Sequence, residues 1–504
     1  MTVRPDLTEA PRAVAGPADP ARTDFDVLIV GAGISGIDAA HHLLEARPGT
    51  SFALIERQGD IGGTWRTHRF PGARSDSDLY TFGFGWKPWT GPELATADEI
   101  LSYLNEAVEE MALRPHIRFG RSLVSAAWDS AAARWTLTVA RLDGGPAETL
   151  TARFLWMCQG YYRHEAPYVP DWPGMDRFAG PIVHPQDWPE DLDCAGKRVT
   201  VIGSGATAAT LVPALAEGGA QVTMLQRSPT WFLPTPKEND LAALLRPLNL
   251  PDAWFHEIMR RRMLHLQGEV QRRAREAPEG LEAELLGAAE AYLGGAAPLD
   301  PHFRPTYHVW RQRLARIPDG DLFRAVRAGT ARVVTDRIET FTETGLALES
   351  GEALEADVIV TATGFDLCVM GDVGFSVDGA PVDWAGTVTY RGMMFSGVPN
   401  LVWVFGYLRN SWTLRADLIS AWVVRALGRM AETGAVSVTP EAPEGMALSP
   451  FFDPEDFGPG YVMRALHLLP RQGDREPWRN CQDYYREAEA FPAASLEEPG
   501  LVWR

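Results

Sequence analysis

The sequence predicts an α/β fold with two Rossmann-like domains, and three features of the chain carry this prediction. Glycine-rich turns at residues 31–36 and 203–208 each follow a short, continuous apolar run. Such runs are typical of buried parallel strands. Each turn also opens a segment with the apolar spacing of a helix, and strand, glycine turn and helix in this order form a doubly wound unit. We therefore expect two such domains in one chain.

The overall composition fits a soluble globular protein and excludes several classes of function. Of 504 residues, 47 are basic and 66 are acidic, which gives a net charge of −19. A charge of this sign argues against non-specific binding to nucleic acid. The apolar runs are too short to span a bilayer, and residues 1–23 lack the apolar segment of a signal peptide. We expect a flexible tail at 1–23, no stable membrane insertion and a cytoplasmic location.

The cysteines give no sign of a redox pair or a metal site. Cys158, Cys194, Cys368 and Cys481 are far apart in the sequence, and no pair has the spacing of a dithiol or a zinc site. We expect free thiols in a reducing compartment and no bound metal. The oligomeric state is not predicted.

The first glycine turn predicts a site for an adenine dinucleotide with a free ribose. Gly31, Gly33 and Gly36 follow the apolar run 26–30, and the next apolar run ends in Glu56. In this arrangement the glycines allow the tight turn, the close approach of a pyrophosphate and the packing of the helix. A carboxylate at the position of Glu56 accepts hydrogen bonds from the ribose hydroxyls and repels a 2′-phosphate. The ligand is therefore expected to be FAD or NAD.

The second glycine turn predicts a dinucleotide of opposite preference. Gly203 and Gly205 are followed by Ala208, a permitted variant at the third position. The acidic residue after the next strand is missing, and Arg227 and Ser228 occupy that region. An arginine can pair with a 2′-phosphate, and a serine hydroxyl can add a hydrogen bond. The simplest assignment is FAD at the first turn and NADPH at the second.

Two further segments complete the predicted organisation. Residues 62–78 are dense in glycine, proline and arginine, which predicts a long ordered loop that covers a cofactor. Residues 241–300 predict a helical insertion with arginine clusters, which fits a solvated helix face better than a membrane surface. The predicted domains are an FAD-binding domain at 24–165 and 346–504, and a NADPH-binding domain, inserted into it, at 166–345.

The stretch 178–189 lies between the two turns and carries a more specific signal. Its pattern F-x-G-x-x-x-H-x-x-x-W-P, together with residues 62–65 and 69–76, resembles type I Baeyer–Villiger monooxygenases, which are class B flavoprotein monooxygenases. The resemblance runs from about residue 25 to the 420s. Residues 75–78 and 312–321 look most like the ethionamide-activating branch, which is known for ketone oxygenation and for S-oxidation of thioamides. The fingerprint residues are Phe178, Gly180, His184, Trp188 and Pro189.

The resemblance implies an enzyme that uses FAD, NADPH and O2. It would insert one oxygen atom next to a ketone carbonyl to give an ester or lactone, and would also oxidise sulfides. The oxygen is carried as a peroxide at flavin C4a. Arg313 matches the family arginine that stabilises this peroxide, and Asp76 matches the aspartate that orients the arginine. The motifs and the resemblance together give these cofactor-binding residues: Gly31, Gly33, Ser35, Gly36, Glu56, Arg57, Gly63, Thr64, Trp65, Asp76, Val124, Gly203, Ser204, Gly205, Ala206, Thr207, Arg227, Ser228 and Trp412.

Some assignments stay open at the level of the sequence. His184 fits a conformational role between the domains or a satisfied structural histidine, and Trp412 fits a contact on the nicotinamide side or core packing. Gln312 stands where many family members have a lysine that contacts the 2′-phosphate, and Phe70 replaces the commoner tyrosine. The alternative function is an N- or S-oxygenating flavin monooxygenase, which needs no arginine beside C4a. A flavin disulfide reductase would need a cysteine pair.

Overall fold

A computed structural model of the chain describes residues 23–504, and the predicted tail therefore lies almost entirely outside the described residues. The helices are α1 (Ile34–Ala46), α2 (Thr64–Thr67), α3 (Leu79–Phe82), α4 (Ala97–Glu110), α5 (Ala206–Glu217), α6 (Asp240–Leu245), α7 (Asp252–Glu276), α8 (Pro278–Leu293), α9 (Leu299–His302), α10 (Asp321–Arg327), α11 (Trp412–Thr433), α12 (Gly460–Ala465) and α13 (Tyr484–Ala493).

The strands are short, as is usual for α/β proteins. They are β1 (Phe25–Val30), β2 (Phe52–Ile55), β3 (Ile117–Arg118), β4 (Arg121–Asp129), β5 (Arg134–Arg141), β6 (Glu148–Met157), β7 (Ile182–Val183), β8 (Arg198–Ile202), β9 (Gln221–Gln226), β10 (Phe232–Thr235), β11 (Ala315–Pro318), β12 (Ala331–Thr335), β13 (Ile338–Thr342), β14 (Gly345–Leu348), β15 (Ala353–Glu355), β16 (Val358–Thr361), β17 (Gly374–Val377), β18 (Ala380–Pro381), β19 (Thr389–Tyr390), β20 (Met394–Phe395), β21 (Leu401–Trp403), β22 (Val438–Pro440), β23 (Leu448–Pro450), β24 (Arg471–Gly473) and β25 (Leu501–Trp503).

The first domain is built on a mixed sheet of nine strands. Its order is β18-β17-β4-β5-β6-β1-β2-β3, and β21 also pairs with β6. The strands β6, β1, β2 and β3 are parallel, and β1 is buried along its last four residues because helices cover the parallel half. The helices α1 and α11 pack on this half. The predicted strand-turn-helix at the first glycine turn is therefore the centre of this sheet.

The second domain has a parallel sheet of five strands in the order β12-β9-β8-β16-β7. The predicted boundary at residue 346 is wrong in one respect, because β16 pairs with β8 and belongs to this sheet. The chain returns to the first domain only after residue 362. The apolar run of β16 fits a buried parallel strand in either sheet, and only its long-range hydrogen bonds decide between them.

The helical segment 240–302 contacts both domains, whereas the sequence predicted an insertion within the second. Phe255, Met259 and Met263 of α7 pack into the core of the first domain. The apolar face of α8 packs against the second domain instead, through residues such as Leu293. The helices α7 and α8 therefore bridge the domains. Helical periodicity shows which face is apolar, and it does not show which domain covers that face.

Three arginines of α7, Arg261, Arg272 and Arg273, form ion pairs close to the protein surface, whereas Arg260 donates to backbone carbonyls of the first domain. Arg261 pairs with Glu257 at 2.5 Å, and Arg272 pairs with Glu276 at 2.7 Å. Such pairs are typical of a solvated helix face, which was the preferred prediction. Within residues 23–504, no helix combines the length and the apolar character needed to cross a membrane.

Two linkers connect the domains, and they run side by side. The first follows β6 and the second follows β16. The backbone amide of Cys368 donates to the carbonyl of Tyr161 at 2.8 Å, and the amide of Arg163 donates to the carbonyl of Asp366 at 2.9 Å. The linkers therefore form a short antiparallel ribbon at the junction of the domains, directly beside the large cavity described next.

Candidate functional site

A single cavity of about 970 Å³ runs between the two glycine turns. Most of the predicted cofactor residues line it, and the two that are farthest apart in sequence, Gly31 and Trp412, are separated by more than 300 residues. The predicted residues on its wall are Gly31, Gly33, Ser35, Glu56, Arg57, Gly63, Thr64, Trp65, Asp76, Gly203, Ser204, Gly205, Ala206, Thr207, Arg227, Ser228, Arg313 and Trp412.

Two predicted cofactor residues are not on this wall. Gly36 lies beneath the turn, where an added Cβ would meet the Gly31 carbonyl oxygen at 1.9 Å, so its role is close packing of the helix. Val124 is 50% exposed and points away from the cavity, while its neighbour Leu123 lines it. The pairing of β4 with β5 is irregular between Leu123 and Ser125, which reorients the side chains there.

The first glycine turn leaves a backbone cradle with no room for side chains. Gly31 has φ +102°, and a Cβ there would lie 2.6 Å from the carbonyl oxygen of Cys158. Across the cavity wall, a Cβ on Gly63 would lie 3.2 Å from the Cα of Gly33. The two backbones therefore approach closely at the N-terminus of α1, where a pyrophosphate can be bound by backbone N–H groups. The cradle fits the FAD that the sequence predicts.

Glu56 is buried at the end of β2, with 5% of its surface exposed. Its carboxylate accepts hydrogen bonds from the amides of Ala32 and Gln58, both at 2.7 Å. Burial raises the pKa of Glu56, while these backbone donors act in the opposite direction. Each carboxylate oxygen has a second lone pair, so the group can still accept a bond from a ribose hydroxyl on the cavity side.

The second glycine turn is cationic at its outer edge. Arg227 is exposed on the cavity wall, and the Ser204 hydroxyl donates to the carbonyl of Ser228 at 2.9 Å. A residue that the sequence reasoning missed, Arg337, lines the same edge. Its neighbour Asp336 donates its backbone amide to the Gln226 carbonyl at 2.9 Å, which brings Arg337 next to Arg227. No short motif marks Arg337, because it follows a different strand.

Arg313 and Asp76 meet inside the cavity as a two-point ion pair. The Arg313 Nε donates to one carboxylate oxygen at 2.8 Å, and its Nη2 donates to the other. Burial by itself would raise the pKa of Asp76, but the Arg313 guanidinium holds it below its ordinary value. Asp76 is therefore a carboxylate that accepts both bonds. The guanidinium is fixed in orientation, and its exposed third faces the cavity.

This ion pair is the middle one of three between the loop 74–78 and the second domain, which we call the charge ladder. The three pairs are Arg74 with Asp321 at 2.6 Å, Asp76 with Arg313, and Asp78 with Arg316 at 3.8 Å. The two motifs that most resembled the ethionamide-activating branch, 75–78 and 312–321, are thus the two sides of one interface.

Asp78, the acidic residue of the third ion pair, also accepts hydrogen bonds from uncharged groups. Asp78 is fully buried and accepts from the Thr81 amide at 2.9 Å and from the Gln267 side chain at 2.7 Å. Gln267 lies on α7, so the bridging helix also holds the loop. Buried carboxylates need such partners, because an unpaired charge is strongly destabilised away from water.

The fingerprint residues lie outside the cavity and hold the two linkers. His184 accepts the Gln186 amide at Nδ1, at 3.1 Å, and its Nε2 is 3.3 Å from the Gly364 carbonyl on the second linker. Burial lowers the pKa of His184, so its Nε2 is the donor of a neutral ring. The side-chain Nε2 of Gln186 donates to the carbonyls of Arg163 and His164 on the first linker, at 2.9 and 2.7 Å.

The other fingerprint residues pack this segment onto the second domain. A Cβ on Gly180 would lie 2.5 Å from the Asp357 carbonyl, so only glycine fits there. Phe178 is buried in the small core beside β14, and Trp188 packs against the core of the second sheet. Pro189 follows directly. The fingerprint segment thus lies between the second sheet and the two linkers, and a conformational role for His184 stays a prediction.

Trp412 begins α11 and links the first glycine turn to the first linker. Its Nε1 donates to the Ser35 hydroxyl at 2.8 Å, and its indole stacks on the ring of Tyr161 at 4.8 Å between centroids. Both neighbours also line the cavity. The side chain is thus part of the cavity wall on the side of the first turn, and its contact with a nicotinamide stays a prediction.

Comparisons with known proteins agree with this architecture. Residues 87–242 match the family described as flavin-binding monooxygenase-like, and residues 29–94 match an NAD(P)-binding Rossmann-like domain. The FAD-containing monooxygenase EthA of Mycolicibacterium smegmatis is 44% identical over 480 residues, which are 95% of this chain and 96% of that protein. EthA of Mycobacterium tuberculosis is also 44% identical, over 95% of this chain and 97% of that protein.

Solved structures share the fold over nearly the whole chain. Steroid monooxygenase bound to NADP matches with a TM-score of 0.75 at 23% identity, over 95% of this chain and 99% of that one. Cyclohexanone monooxygenase with bound ε-caprolactone matches with a TM-score of 0.72 at 22% identity, over the same shares. At this level of identity the likeness concerns the fold, and it confirms the predicted α/β architecture with Rossmann-like domains.

Proposed function

The chain belongs to the FAD-containing monooxygenases related to EthA, and we propose that within this family it is a Baeyer–Villiger monooxygenase that oxygenates ketones. It is a flavin-dependent oxidoreductase, and its cofactors are FAD and NADPH. The observation that carries the proposal is the Arg313 guanidinium, held at two points by Asp76 and facing the cavity that both glycine turns also line. The reaction converts a ketone, O2, NADPH and a proton into an ester or lactone, water and NADP+.

The two ends of the cavity would bind different cofactors. The cradle of Gly31, Gly33 and Gly63 would hold the pyrophosphate of FAD, and Glu56 would accept a ribose hydroxyl. Arg227 and Arg337 would pair with the 2′-phosphate of NADPH. Arg337 supplies the second cation that Gln312 cannot provide. When bound, FAD that has been reduced by NADPH supplies the chemistry that activates O2.

Arg313 is suited to stabilising negative charge on reacting oxygen atoms. A ketone carbonyl becomes an oxyanion when a nucleophile adds to it, and fixed cationic donors lower the energy of such a state. A guanidinium stays charged at every pH of interest, and Asp76 keeps its orientation. Heteroatom oxygenation has no such oxyanion, so the pair favours ketone chemistry over the alternative N- or S-oxygenation.

The decisive experiment uses one substrate molecule that carries both a ketone and a thioether. A linear ketone with a methylthio substituent is incubated with the FAD-loaded enzyme, NADPH and O2, and the products are separated by gas chromatography. The wild type is expected to form the ester. Arg313→Ala is expected to lose ester formation by about two to three powers of ten, the typical effect of removing one such donor, while FAD stays bound.

The matched control is Arg304→Ala, which removes a surface arginine that pairs with Asp300 at 3.0 Å outside the cavity. It is expected to keep the activity of the wild type. If the wild type forms only sulfoxide, and Arg313→Ala forms it equally well, the protein is a heteroatom oxygenase and the proposal is wrong.

A further inference from the structure

Three tyrosines from different parts of the chain meet beside Arg313. Tyr161 and Tyr162 lie on the first linker, and Tyr461 lies on α12. All three line the cavity, and the charge of Arg313 acts on each of their hydroxyl groups. None of the three tyrosines is among the predicted cofactor-binding residues. This raises the question of what these phenols do at the charged end of the cavity.

The rings of Tyr161 and Tyr162 are packed against neighbouring aromatic side chains. The ring of Tyr161 stacks on Trp412 with 10° between the planes, and Tyr162 packs on Phe365 with 4.4 Å between ring centroids. The backbone of Tyr162 also pairs with Leu367 in the linker ribbon. Phe365 in turn stacks on His68 of the loop that carries Asp76. Fixed donors of this kind lose little freedom when a ligand binds.

The hydrogen bonding leaves one phenol proton without an acceptor among the described residues. The Tyr161 hydroxyl donates to the hydroxyl oxygen of Tyr162. The Tyr162 hydroxyl has no other hydrogen-bond partner among residues 23–504, and its nearby cation Arg313 has donors only. The Tyr162 hydroxyl therefore accepts from Tyr161 and keeps its own proton free. Because the residue lines the cavity, an acceptor for that proton has to come from a molecule in the cavity.

The environment keeps these hydroxyl groups protonated. Burial raises the pKa of Tyr161 well above its ordinary value and also raises that of Tyr162, while the charge of Arg313 acts in the opposite direction. The carboxylate that faces them, Asp76, is occupied by Arg313. Tyr162 therefore remains a neutral hydrogen-bond donor at physiological pH. Arg313 beside it would attract the same ligand oxygen that accepts the Tyr162 proton.

We propose that Tyr162 is a further catalytic residue, which donates a hydrogen bond to the carbonyl oxygen of the ketone while Tyr161 orients its hydroxyl. This inference rests on the proposed function. Arg313 and Tyr162 together would stabilise the negative charge that develops on that oxygen. A carbonyl oxygen has two lone pairs, so it can accept from both groups at once. The same pair would select substrates with a strong oxygen acceptor over thioethers.

The experiment removes only the hydroxyl group. Tyr162→Phe is loaded with FAD, and a linear methyl ketone labelled with carbon-13 at its carbonyl is bound without NADPH. The infrared carbonyl stretch of the bound ketone is expected to lie at higher frequency than in the wild type, because a hydrogen bond has been lost. The kcat/KM for ester formation is expected to fall about tenfold to hundredfold, the effect of losing a bond to a developing charge.

Two variants separate this role from packing. Tyr161→Phe keeps the donor and removes only its orienting partner, so a smaller shift and a smaller loss are expected. Tyr292→Phe, on α8 outside the cavity, is expected to change neither. If the wild type makes ester but Tyr162→Phe leaves both the band and kcat/KM unchanged, the inference is wrong and the proposed function stands. If the wild type makes no ester, both are overturned.

Discussion

At the first glycine turn the residue after the second strand is Glu56, which is buried and acidic, whereas the corresponding region of the second turn carries Arg227, which is exposed and basic. The backbones of the two turns are alike: Gly31 and Gly203 both have positive φ, and both press against the strand beside them. The backbone is therefore expected to set the kind of ligand, a dinucleotide, and the charged side chains beside each turn are expected to set which dinucleotide binds.

The largest effect is expected from a substitution that disrupts the backbone of one glycine turn and leaves the other intact. Gly31→Ala places a Cβ 2.6 Å from the Cys158 carbonyl at φ +102°, so the purified variant is expected to contain no flavin by absorbance. The counterpart Gly203→Ala, whose Cβ would lie 2.2 Å from the Ala362 carbonyl, is expected to keep its flavin and lose NADPH oxidation. Equal flavin loss in both variants would contradict the assignment of the two turns.

The next largest effect is expected when the positive charges beside the second turn are removed. The double variant Arg227→Ala, Arg337→Ala is expected to raise the KM for NADPH about tenfold to hundredfold, because hydrogen bonds to a charged group are lost. The KM for NADH is expected to change little, since NADH has no 2′-phosphate. Steady-state flavin reduction with both nucleotides measures this. An equal loss for NADH would show that the arginines act on the shared part of the nucleotide.

A smaller effect tests the charge ladder that joins the two halves of the cavity. Asp321→Asn leaves Arg74 without its ionic partner but does not touch Arg313, so the loop is held less firmly. A loss of about 1–3 kcal/mol in the free energy of unfolding and a fall in kcat with unchanged KM for NADPH are expected. The surface variant Asp300→Asn is the control, and it is expected to leave both quantities unchanged.

The smallest effect is a pH dependence at the loop between the turns. Burial lowers the pKa of His68 to about 4, so the folded protein keeps it neutral. An unfolded histidine binds a proton below about pH 6.5. Stability is therefore expected to fall as the pH drops from about 6.5 towards 4. His68→Phe, which keeps the stacking on Phe365, is expected to have a flatter profile in thermal unfolding. An unchanged slope would assign the effect to another group.

The sequence predicted the parts of the site that are local in the chain. Each glycine turn, its strand and its helix lie within about 25 residues, so a pattern of neighbouring residues is enough to predict them. The pairing of Arg313 with Asp76 spans 237 residues and was predicted only through a family resemblance. Arg337 was missed because nothing local marks it.

The features that the sequence did not predict depend on long-range packing. The apolar run of β16 fits either sheet, and the apolar face of α7 fits either domain. The side chain of Val124 turns outward because of a local irregularity between two strands, which alternation alone does not predict. In each case the residues fix the kind of element, and hydrogen bonds or contacts with distant residues fix its position.

The pairing of β21 with β6 has a consequence for the order in which this protein can be made. Leu401 pairs with Leu155, so the first sheet lacks a strand until more than 240 residues after β6 have left the ribosome. The five strands of the second sheet are all available by residue 361. The inserted domain can therefore fold during synthesis, while the domain that surrounds it must wait for β21. Until then β6 has an unpaired edge at residues 155–157, and unpaired strand edges are the places where chains associate wrongly.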